Sequence, residues 1–413
     1  MRPTRAMANP IFVSTQEQKL QATTLLMAIG VGVAVANIYY CQPLLGIMAQ
    51  DLHVSERHTG WIATLTQVGT AIGMLLFVPL GDIAERRKLT VRMCVFVAFA
   101  ALLTALAPSF SLLALFSFLL GLGSVIPHLI LPFAAHLAPE GARGKVVAKV
   151  ISGMLVGILL ARTVAGFVGA AFGWRAIFFI SAGLMLGLAI AFRELLPESH
   201  PSVQMHYFDL LRSVGSMVRE HRGLRESAAI GALLFASFSA FWTTLVFFLA
   251  KPPYHYGARM AGGLGLLAAA SAALAPIVGR MVDRRSPKLG ISIAVITTLA
   301  SYAVMIATGH WLIGLGLGVI LLDVGVQTGH ISNQTRIYNT FPHARSRANT
   351  VYMVSYFVGG AFGSALGNAG WHFFGWAGVC AAGAVVLLPA LLIVRTMREE
   401  KMERVEETEL SVA

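Results

Sequence analysis

Twelve long apolar runs divide this chain of 413 residues, and they constrain its fold more than any other feature. Each run holds about 20 residues, which is the length that an α-helix needs to cross the hydrocarbon core of a bilayer. We number them spans 1 to 12, and they cover residues 20–44, 59–80, 90–107, 112–135, 147–172, 175–192, 227–250, 260–280, 288–307, 311–335, 348–370 and 376–394. The sequence therefore predicts an all-α membrane protein with 12 transmembrane helices.

The charge content excludes most soluble proteins. Only 12% of the residues are charged, about half of the usual share in a soluble domain, and the mean hydropathy is +0.73. The three cysteines, Cys41, Cys94 and Cys380, are far apart, a spacing that fits neither a metal site nor a disulfide framework. The sequence also lacks a Gly-x-x-x-x-Gly-Lys-Ser/Thr phosphate loop. We therefore expect no enzyme, no cofactor, no metal and no ATP-driven pump.

The basic residues follow the pattern of a membrane topology. If both termini lie inside the cell, 26 of the 31 Lys and Arg residues fall in inside segments and four fall in outside loops. The remaining one is Arg162, within span 5. This positive-inside pattern predicts a multi-pass protein of the inner (plasma) membrane with cytoplasmic termini. It also indicates that the net charge of +12 sets the topology and does not bind nucleic acid.

The chain is expected to consist of two halves. The longest polar stretch between apolar runs lies between spans 6 and 7, near the middle of the sequence. The loops after spans 2 and 8 also align, with Asp82 and Asp283 separated by 201 residues, which indicates a parallel internal repeat. The predicted parts are an N-terminal six-helix half, a cytoplasmic linker, a C-terminal six-helix half and a cytoplasmic tail, at residues 1–192, 193–226, 227–394 and 395–413.

The two aligned loops share a signature, Gly-x-x-x-Asp-Arg-x-Gly-Arg-Arg/Lys. The first loop matches it at Asp82, Arg86 and Arg87, and the second at Gly279, Asp283, Arg284 and Lys288. With these loops and its helix count, the chain resembles a major facilitator superfamily transporter, and most of all the 12-helix drug or sugar efflux branch. The resemblance implies two pseudo-symmetric six-helix bundles with spans 1, 4, 7 and 10 around a central cavity. We expect a monomer.

The same loops are candidates for a conformational clasp. A carboxylate at the cytoplasmic end of a helix can pair with arginines of a neighbouring loop and hold the halves together until they rock apart. We expect Asp82 to interact with Arg345, Arg347 or Asn349, where span 11 begins. The candidate clasp residues are Asp82, Arg86, Arg87, Gly279, Asp283 and Arg284. The alternative is that these cations only set the orientation of the chain.

Two other motifs depart from the efflux pattern. Efflux members carry Gly-Pro-x-x-Gly-Gly in span 5, followed by a Trp-Arg pair. This chain has Trp174-Arg175 and Ala165-Gly166 at the matching places, but Ala161-Arg162 stands where Gly-Pro is expected. In span 4, Ser117 stands where the family carries an arginine. These departures leave the direction of transport open between export and uptake.

Two charged residues lie deep within apolar runs. Arg162 is near the middle of span 5, where an arginine costs about 2.5–3.5 kcal/mol on insertion scales, so we expect it to face the space between the halves. Asp323 lies midway along span 10, on one helical face with Gln327, His330 and Gln334. We expect Asp323 and Arg162 to form a charge pair, direct or through water. Asp323 would then be a proton switch, with His330 as an alternative proton site, unless the pair is purely structural.

Other polar and aromatic residues are candidates for the substrate cavity. They are Asn37, Tyr40, Gln67, His128, Trp242, Gln327, Tyr352 and Tyr356. The alternative for the aromatic members is that they anchor helices at the membrane interface. In span 4, Pro127 and Pro132 remove backbone donors, and we therefore expect this helix to be bent beside the cavity.

Together these patterns predict a secondary active transporter that exports small organic molecules by alternating access, coupled to protons. Its expected partners are a small-molecule substrate, protons and the lipid bilayer. One alternative is an uptake facilitator or proton symporter of the same fold. A second alternative is a membrane sensor that does not transport.

Overall fold

The structure is a computed structural model, and it describes residues 10–199, 206–267, 286–342 and 344–397. In these ranges the chain forms α-helices joined by short turns. The helices before the middle of the chain are α1 (Pro10–Ala36), α2 (Leu45–Asp51), α3 (Glu56–Ile83), α4 (Arg86–Leu106), α5 (Phe110–Gly123), α6 (Ile126–Leu137), α7 (Arg143–Phe172) and α8 (Trp174–Leu195). The later ones are α9 (Tyr207–Glu220), α10 (Arg222–Ala250), α11 (258–267), α12 (Pro287–Thr308), α13 (Leu312–Thr340), α14 (Arg345–Val385) and α15 (Leu388–Thr396).

Ten helical segments in the described ranges are long and apolar enough to cross a membrane. The last, Arg345–Thr396, has 52 residues and would be about 78 Å long if straight, more than twice a bilayer core. It turns at Gly375, whose φ of +60° is a backbone conformation that favours glycine. This segment therefore holds spans 11 and 12, while only the first part of span 8 lies within the described residues. The prediction of 12 helices agrees with this arrangement.

Span 4 is interrupted, as its two prolines predict. Helix α5 ends at Gly123 and α6 begins at Ile126, with Pro127 in its first turn. Ser124 donates its hydroxyl to the carbonyl oxygen of Leu120 at 2.6 Å, which satisfies one group at the break. The break sets the direction of α6 and therefore the position of His128.

Polar contacts between loops sort the helix ends into two faces. Glu85, between α3 and α4, accepts a hydrogen bond from the backbone of Ser199 beyond α8, and Asp82 accepts one from Ser346 in α14. We call the face that holds these contacts and α9 the linker face. At the other end, Asp51 pairs with Arg175, and we call that end, with α2 and the turn at Gly375, the distal face.

The same helix pairs recur in both halves of the chain. Helix α1 packs along α7 and α4 contacts α5, while in the second half α10 packs along α14 and α12 along α13. In terms of spans, pairs 1·5 and 3·4 become pairs 7·11 and 9·10. This recurrence is what an internal repeat of six helices requires.

Small residues allow the closest of these approaches. A Cβ atom on Gly157 of α7 would meet the carbonyl oxygen of Gly32 of α1, and one on Gly153 would meet that of Ala28. Close approach at small residues is the usual way that helices pack in a bilayer. Two glycines of span 5 thus form part of the contact with α1.

The two halves meet along α3 and α14. At the distal face Trp371 donates its indole N–H to Glu56 at 2.9 Å, and at mid-depth Gln67 donates to Ser364 at 3.0 Å. At the linker face Ser346 donates to Asp82 at 3.2 Å. The interface between the halves is therefore polar at both ends and at its centre.

Candidate functional site

Arg162 lies at the interface between the halves, as the sequence predicts. Its side chain is 1% exposed, and its Nε donates to Gln42 Oε1 at 2.7 Å. Its neighbours Ala161 and Ala165 are buried as well, and its guanidinium projects toward Trp242 of α10. Gln42 belongs to the short 3-10 turn that follows α1, so the loss of α-helix after Ala36 brings its amide to the guanidinium.

Three aromatic rings surround this guanidinium. Its central carbon lies 4.2 Å from the ring centre of Trp242, 4.7 Å from that of Tyr39 and 5.3 Å from that of Phe238. Each distance is within the range of a cation–π interaction, which strengthens when the cation is desolvated. Trp242 and Phe238 belong to α10 and Tyr39 follows α1, so one cation links the two halves.

Around Arg162 and Asp323, three buried polar atoms lack a hydrogen-bond partner among the described residues. They are Arg162 Nη2, Trp242 Nε1 and Asp323 Oδ2. An unsatisfied buried polar group costs about 1–3 kcal/mol, and more when it is charged. Such a cost is expected where a site must stay ready for a ligand or a proton.

A narrow gap separates Arg162 from the C-terminal half. It has no room for a water molecule. The residues that line it are Gln42, Pro43, Arg162, Trp242, Leu245, Val246 and Ala261. Beside the gap, Thr163 donates to the backbone carbonyl of Gly262 at 2.9 Å, so α7 and α11 are closed against each other here.

Asp323 lies on the other side of this region, in α13, and is 3% exposed. Of the described carboxylates, none has an oxygen within 4.0 Å of an Arg162 nitrogen, although Asp323 and Arg162 are within electrostatic range of each other. In this conformation the expected pair is therefore an interaction through space and not a direct ion pair. Gln42 holds the guanidinium on the side of the N-terminal half.

The polar stripe below Asp323 faces α14. His330 Nδ1 is 3.0 Å from the hydroxyl of Tyr352, and its ring centre is 5.0 Å from that of Tyr356. Further along, Gln334 donates to Asn349 at 3.3 Å, and Gln327 is half-buried between these contacts and Asp323. The ring of Tyr356 also stacks on that of Phe235, with 4.0 Å between the ring centres. The stripe thus leads from the buried aspartate toward the linker face.

His128 and Gln67 also reach the interface. His128, in the first turn of α6, is half-buried and within electrostatic range of His330 in the other half. Gln67 of α3 donates to Ser364 and accepts from Ser239 at 3.3 Å, and Thr243 is 2.6 Å from Ser364. The hydroxyl groups of this cluster were missed by the sequence reasoning, because single serines and threonines in an apolar run are no signal.

Two expected cavity residues have other surroundings. Asn37 is 1% exposed, donates to the carbonyl oxygens of Val33 and Ala34, and accepts a hydrogen bond from Ser181 in α8. Its amide joins helices within the N-terminal half, and its place in the cavity stays a prediction. Tyr40 is buried in the apolar core. Both residues come after the end of α1 at Ala36, where the α-helix gives way to a turn.

The family assignment rests on a comparison with known proteins. The family model described as Major Facilitator Superfamily matches residues 27–332 and 228–411 of this chain. The chain belongs to the major facilitator superfamily. Its fold and its relatives are those of membrane transporters, which are not enzymes.

Two bacterial relatives cover most of this transporter. The "Uncharacterized transporter YgaY" of Escherichia coli O157:H7 is 42% identical over 373 residues, which is 90% of this chain and 94% of the relative. The "Probable transporter SCO4007" of Streptomyces coelicolor is 34% identical over 365 residues, with 88% and 85% covered. A crystal structure of the nucleoside transporter NupG has the same fold, with a TM-score of 0.72, 11% identity and 91% of this chain covered.

The predicted clasp is partly present at the linker face of this transporter. Asp82 accepts a hydrogen bond from Ser346 at 3.2 Å, and Arg347 is within electrostatic range, so the expected end of α14 is its neighbour. Arg86 contacts Asp82 at 3.9 Å and donates to the carbonyl of Gly81. Gly279, Asp283 and Arg284, the second copy of the motif, lie outside the described residues.

Arg87 has different partners from Asp82 in this conformation. It pairs with Glu198 at 2.5 Å and donates to the carbonyl oxygen of Leu196, both at the end of α8. These partners lie just beyond α8, in the stretch predicted as the linker, and the role of Arg87 in the clasp stays a prediction. Glu85 caps α4 by accepting from the backbone N–H groups of Arg87 and Lys88, which turns the arginine toward α8.

Two clusters of charges were missed by the sequence reasoning. At the distal face, Lys251 lies 3.3 Å from Glu56, which also accepts the hydrogen bond from Trp371. At the linker face, Arg336 pairs with Glu226 at 3.0 Å in a nearly buried position between α13 and α10. Lys251 and Arg336 counted only as topological cations in the sequence. Their partners are too distant along the chain to be predicted from spacing.

Proposed function

We propose that this transporter couples the movement of small organic molecules to protons and exports them by alternating access. The observation that carries the proposal is the placement of Arg162 and Asp323, in opposite halves, within one buried interface. Ionisable groups are rare inside membrane helices and mark substrate and proton pathways. Their unpartnered atoms are supporting evidence, because a purely structural pair would satisfy them.

Protonation of Asp323 is the proposed switch. An ionised Asp323 attracts Arg162 across the interface, and a proton removes that attraction. The free energies of the two arrangements of the halves then change relative to each other, which is sufficient to shift their populations. The polar contacts of Asp82 at the linker face and of Glu56 at the distal face would break in turn as the halves rock.

The proposed location is the inner (plasma) membrane, with the linker face and both termini in the cytoplasm. The support is the distribution of cations, with 26 in the inside segments and four in the outside loops. The protein is proposed to act as a monomer, because both charged partners of the site are in one chain.

Proton-coupled uptake is the second candidate. It is favoured by Arg162, which replaces the Gly-Pro of the efflux motif and occupies the interface itself. In that scheme the proton and the substrate move in the same direction.

Transport in reconstituted vesicles tests both candidates. We would purify the full chain, reconstitute it with a pH-sensitive dye inside, impose a proton gradient and add a panel of small cations, anions and neutral compounds. Proton movement opposite to a compound is expected for export, and movement in the same direction would favour the second candidate. Asp323→Asn should abolish the coupled movement, because the amide binds no proton at the pH of the assay.

A matched control separates this effect from misfolding. Lys149→Gln changes an exposed charge on α7, outside the proposed site, and should transport like the wild type. Coupled proton movement that persists in Asp323→Asn, with the same yield and thermal stability, would reject Asp323 as the switch. If no compound of the panel moved protons in the wild type, proton coupling itself would be rejected.

A further inference from the structure

Two of the residues that line the gap beside Arg162 carry buried donors without a partner among the described residues. Arg162 and Trp242 are 1% and 2% exposed, and each contributes one unpartnered N–H group, Nη2 and Nε1. The two donors come from opposite halves, since Arg162 is in α7 and Trp242 in α10. No acidic side chain is among the described residues that line the gap.

Donor chemistry of this kind fits an oxyanion. A guanidinium and an indole N–H have no acceptor capacity, so a ligand there must bring lone pairs. A carboxylate or sulfonate accepts from a guanidinium in two parallel hydrogen bonds, which are shorter and stronger than neutral ones. The gap already keeps Arg162 away from water, which favours a charged ligand over a neutral one.

The aromatic rings indicate what should be attached to the oxyanion. Trp242, Tyr39 and Phe238 surround the guanidinium, with their ring centres 4.2 to 5.3 Å from its central carbon. When the halves separate, a flat aromatic ring of the ligand can take the place of the guanidinium against these side chains. Aromatic rings pack against each other in offset or edge-to-face arrangements. The displaced guanidinium can then bind the oxyanion of the same ligand.

We propose that this transporter recognises a planar organic anion, with its oxyanion held by Arg162 and Trp242 and its ring by the surrounding aromatic side chains. The inference rests on the proposed transport function, since the gap opens only when the halves separate. Asp323 is a positioning residue here. Its negative charge attracts the same guanidinium and opposes an anion, so its removal should strengthen binding.

Binding to the purified full chain in detergent is the test, with naphthalene-2-carboxylate as the probe. Naphthalene-2-carboxamide is the neutral match of the same shape, and 2-naphthylmethylammonium is the cationic one. We expect the carboxylate to bind at least about tenfold more tightly than the carboxamide, from the value of hydrogen bonds to charged groups. Naphthalene-2-sulfonate should share the preference.

Three substitutions locate the probe. Arg162→Gln should remove the preference for the carboxylate over the carboxamide. Trp242→Phe keeps a ring and loses the N–H, and it should weaken carboxylate binding by about threefold to tenfold while leaving the carboxamide nearly unchanged. Asp323→Asn should strengthen carboxylate binding by a similar factor. Lys149→Gln is the control on an exposed face, and Arg162→Lys, which keeps the charge, tests whether loss of folding explains the first result.

Several outcomes would overturn the inference. They are equal binding of carboxylate and carboxamide, tighter binding of the ammonium compound, a preference retained in Arg162→Gln, or no binding of either anion up to ~10 mM. Failure of this inference is distinguishable from failure of the transport function. Asp323-dependent proton movement with a cation or a neutral compound would keep the function and reject the anion, whereas carboxylate binding without any coupled movement would do the reverse.

Discussion

At the scale of single residues, the arginine side chains of this transporter differ in their exposure to water and in their polar partners. Arg162 has one amide acceptor and three aromatic faces, and none of the described carboxylates touches it. Arg336 is nearly as buried but is paired with Glu226. Arg87 pairs with Glu198, whose side chain is 58% exposed. The same residue type therefore contributes very differently to stability at these three positions.

Removal of a carboxylate should cost more at the buried pair than at the exposed one. Glu226→Gln leaves Arg336 charged with 9% of its side chain exposed, and we expect a loss of about 3–5 kcal/mol in the free energy of unfolding. Glu198→Gln should cost less than ~1 kcal/mol, because Arg87 regains water. Thermal unfolding of both variants in one detergent measures the difference, and equal losses would contradict it.

The ion pair between Asp51 and Arg175 at the distal face should make a pH-dependent contribution to the stability of the protein. Hydrogen bonds from Arg175 and then from Trp174 lower the pKa of Asp51 below its ordinary value. A lowered pKa means that the stabilisation is fully present above pH ~4 and is lost as the pH falls through the folded-state pKa. Asp51→Asn should therefore melt slightly below the wild type at pH 7, by about 2 °C or less for so exposed a pair.

The two melting curves should approach each other as the pH falls below ~4 and through the lowered pKa of Asp51, where the wild-type carboxylate also becomes neutral. Circular dichroism of the detergent-solubilised protein measures this. A difference in melting temperature that stays constant between pH 7 and pH ~3 would show that the hydrogen bonds to Asp51 do not depend on its charge.

At the scale of helices, small residues decide which faces meet. A Cβ atom on Gly157 would meet the carbonyl oxygen of Gly32, and a backbone atom cannot move aside as a flexible side chain can. Gly187 of α8, by contrast, has no other atom within 4 Å of a Cβ at its position. Glycines in these two helices therefore have different roles.

Gly157→Val should destabilise the protein by about 1–3 kcal/mol, the usual cost of overpacking, and reduce the yield of folded protein. Gly187→Val is the matched control, and it should be close to neutral. Fluorescence-detected size-exclusion chromatography after heating compares the two. An equal effect of both substitutions would mean that α1 and α7 can move apart freely.

Much of the helical structure could be predicted from the sequence. The apolar runs and the prolines of span 4 are local signals, and both the helices and the break before Ile126 follow them. The end of α1 at Ala36 could not be predicted, because no glycine or proline stands between Ala36 and Pro43 to mark it. The hydrogen bond that joins Asn37 to Ser181 could not be predicted either.

At the scale of the whole molecule, the two faces carry polar contacts between the halves. Glu56 contacts Lys251 and Trp371 at the distal face, and Asp82 contacts Ser346 at the linker face. If the halves alternate, weakening one face should favour the conformation that is open there. The strength of the contacts at each face then sets the population of the conformation that is open at that face.

Glu56→Gln should increase the accessibility of the gap from the distal face. We would introduce Ala261→Cys, at a gap-lining position, after replacing the three native cysteines, and measure its reaction with a membrane-impermeant maleimide. The substitution removes the ion pair with Lys251 and weakens the hydrogen bond from Trp371. It should therefore raise the rate of the maleimide reaction by about threefold to tenfold. Asp82→Asn, at the opposite face, is the control and should leave the rate unchanged or lower it; a higher rate there would contradict alternation.

The sequence by itself determined the number of spanning helices, the two halves and the presence of two buried charges. These are properties of composition along the chain, because a bilayer selects helices by apolar length and makes each buried charge costly. Only the tertiary structure decided that Arg162 bonds Gln42, 120 residues away, and lies under Trp242 instead of pairing directly with Asp323. Those contacts depend on where each helix ends and how it is rotated, and both are set by packing among helices that are distant in sequence.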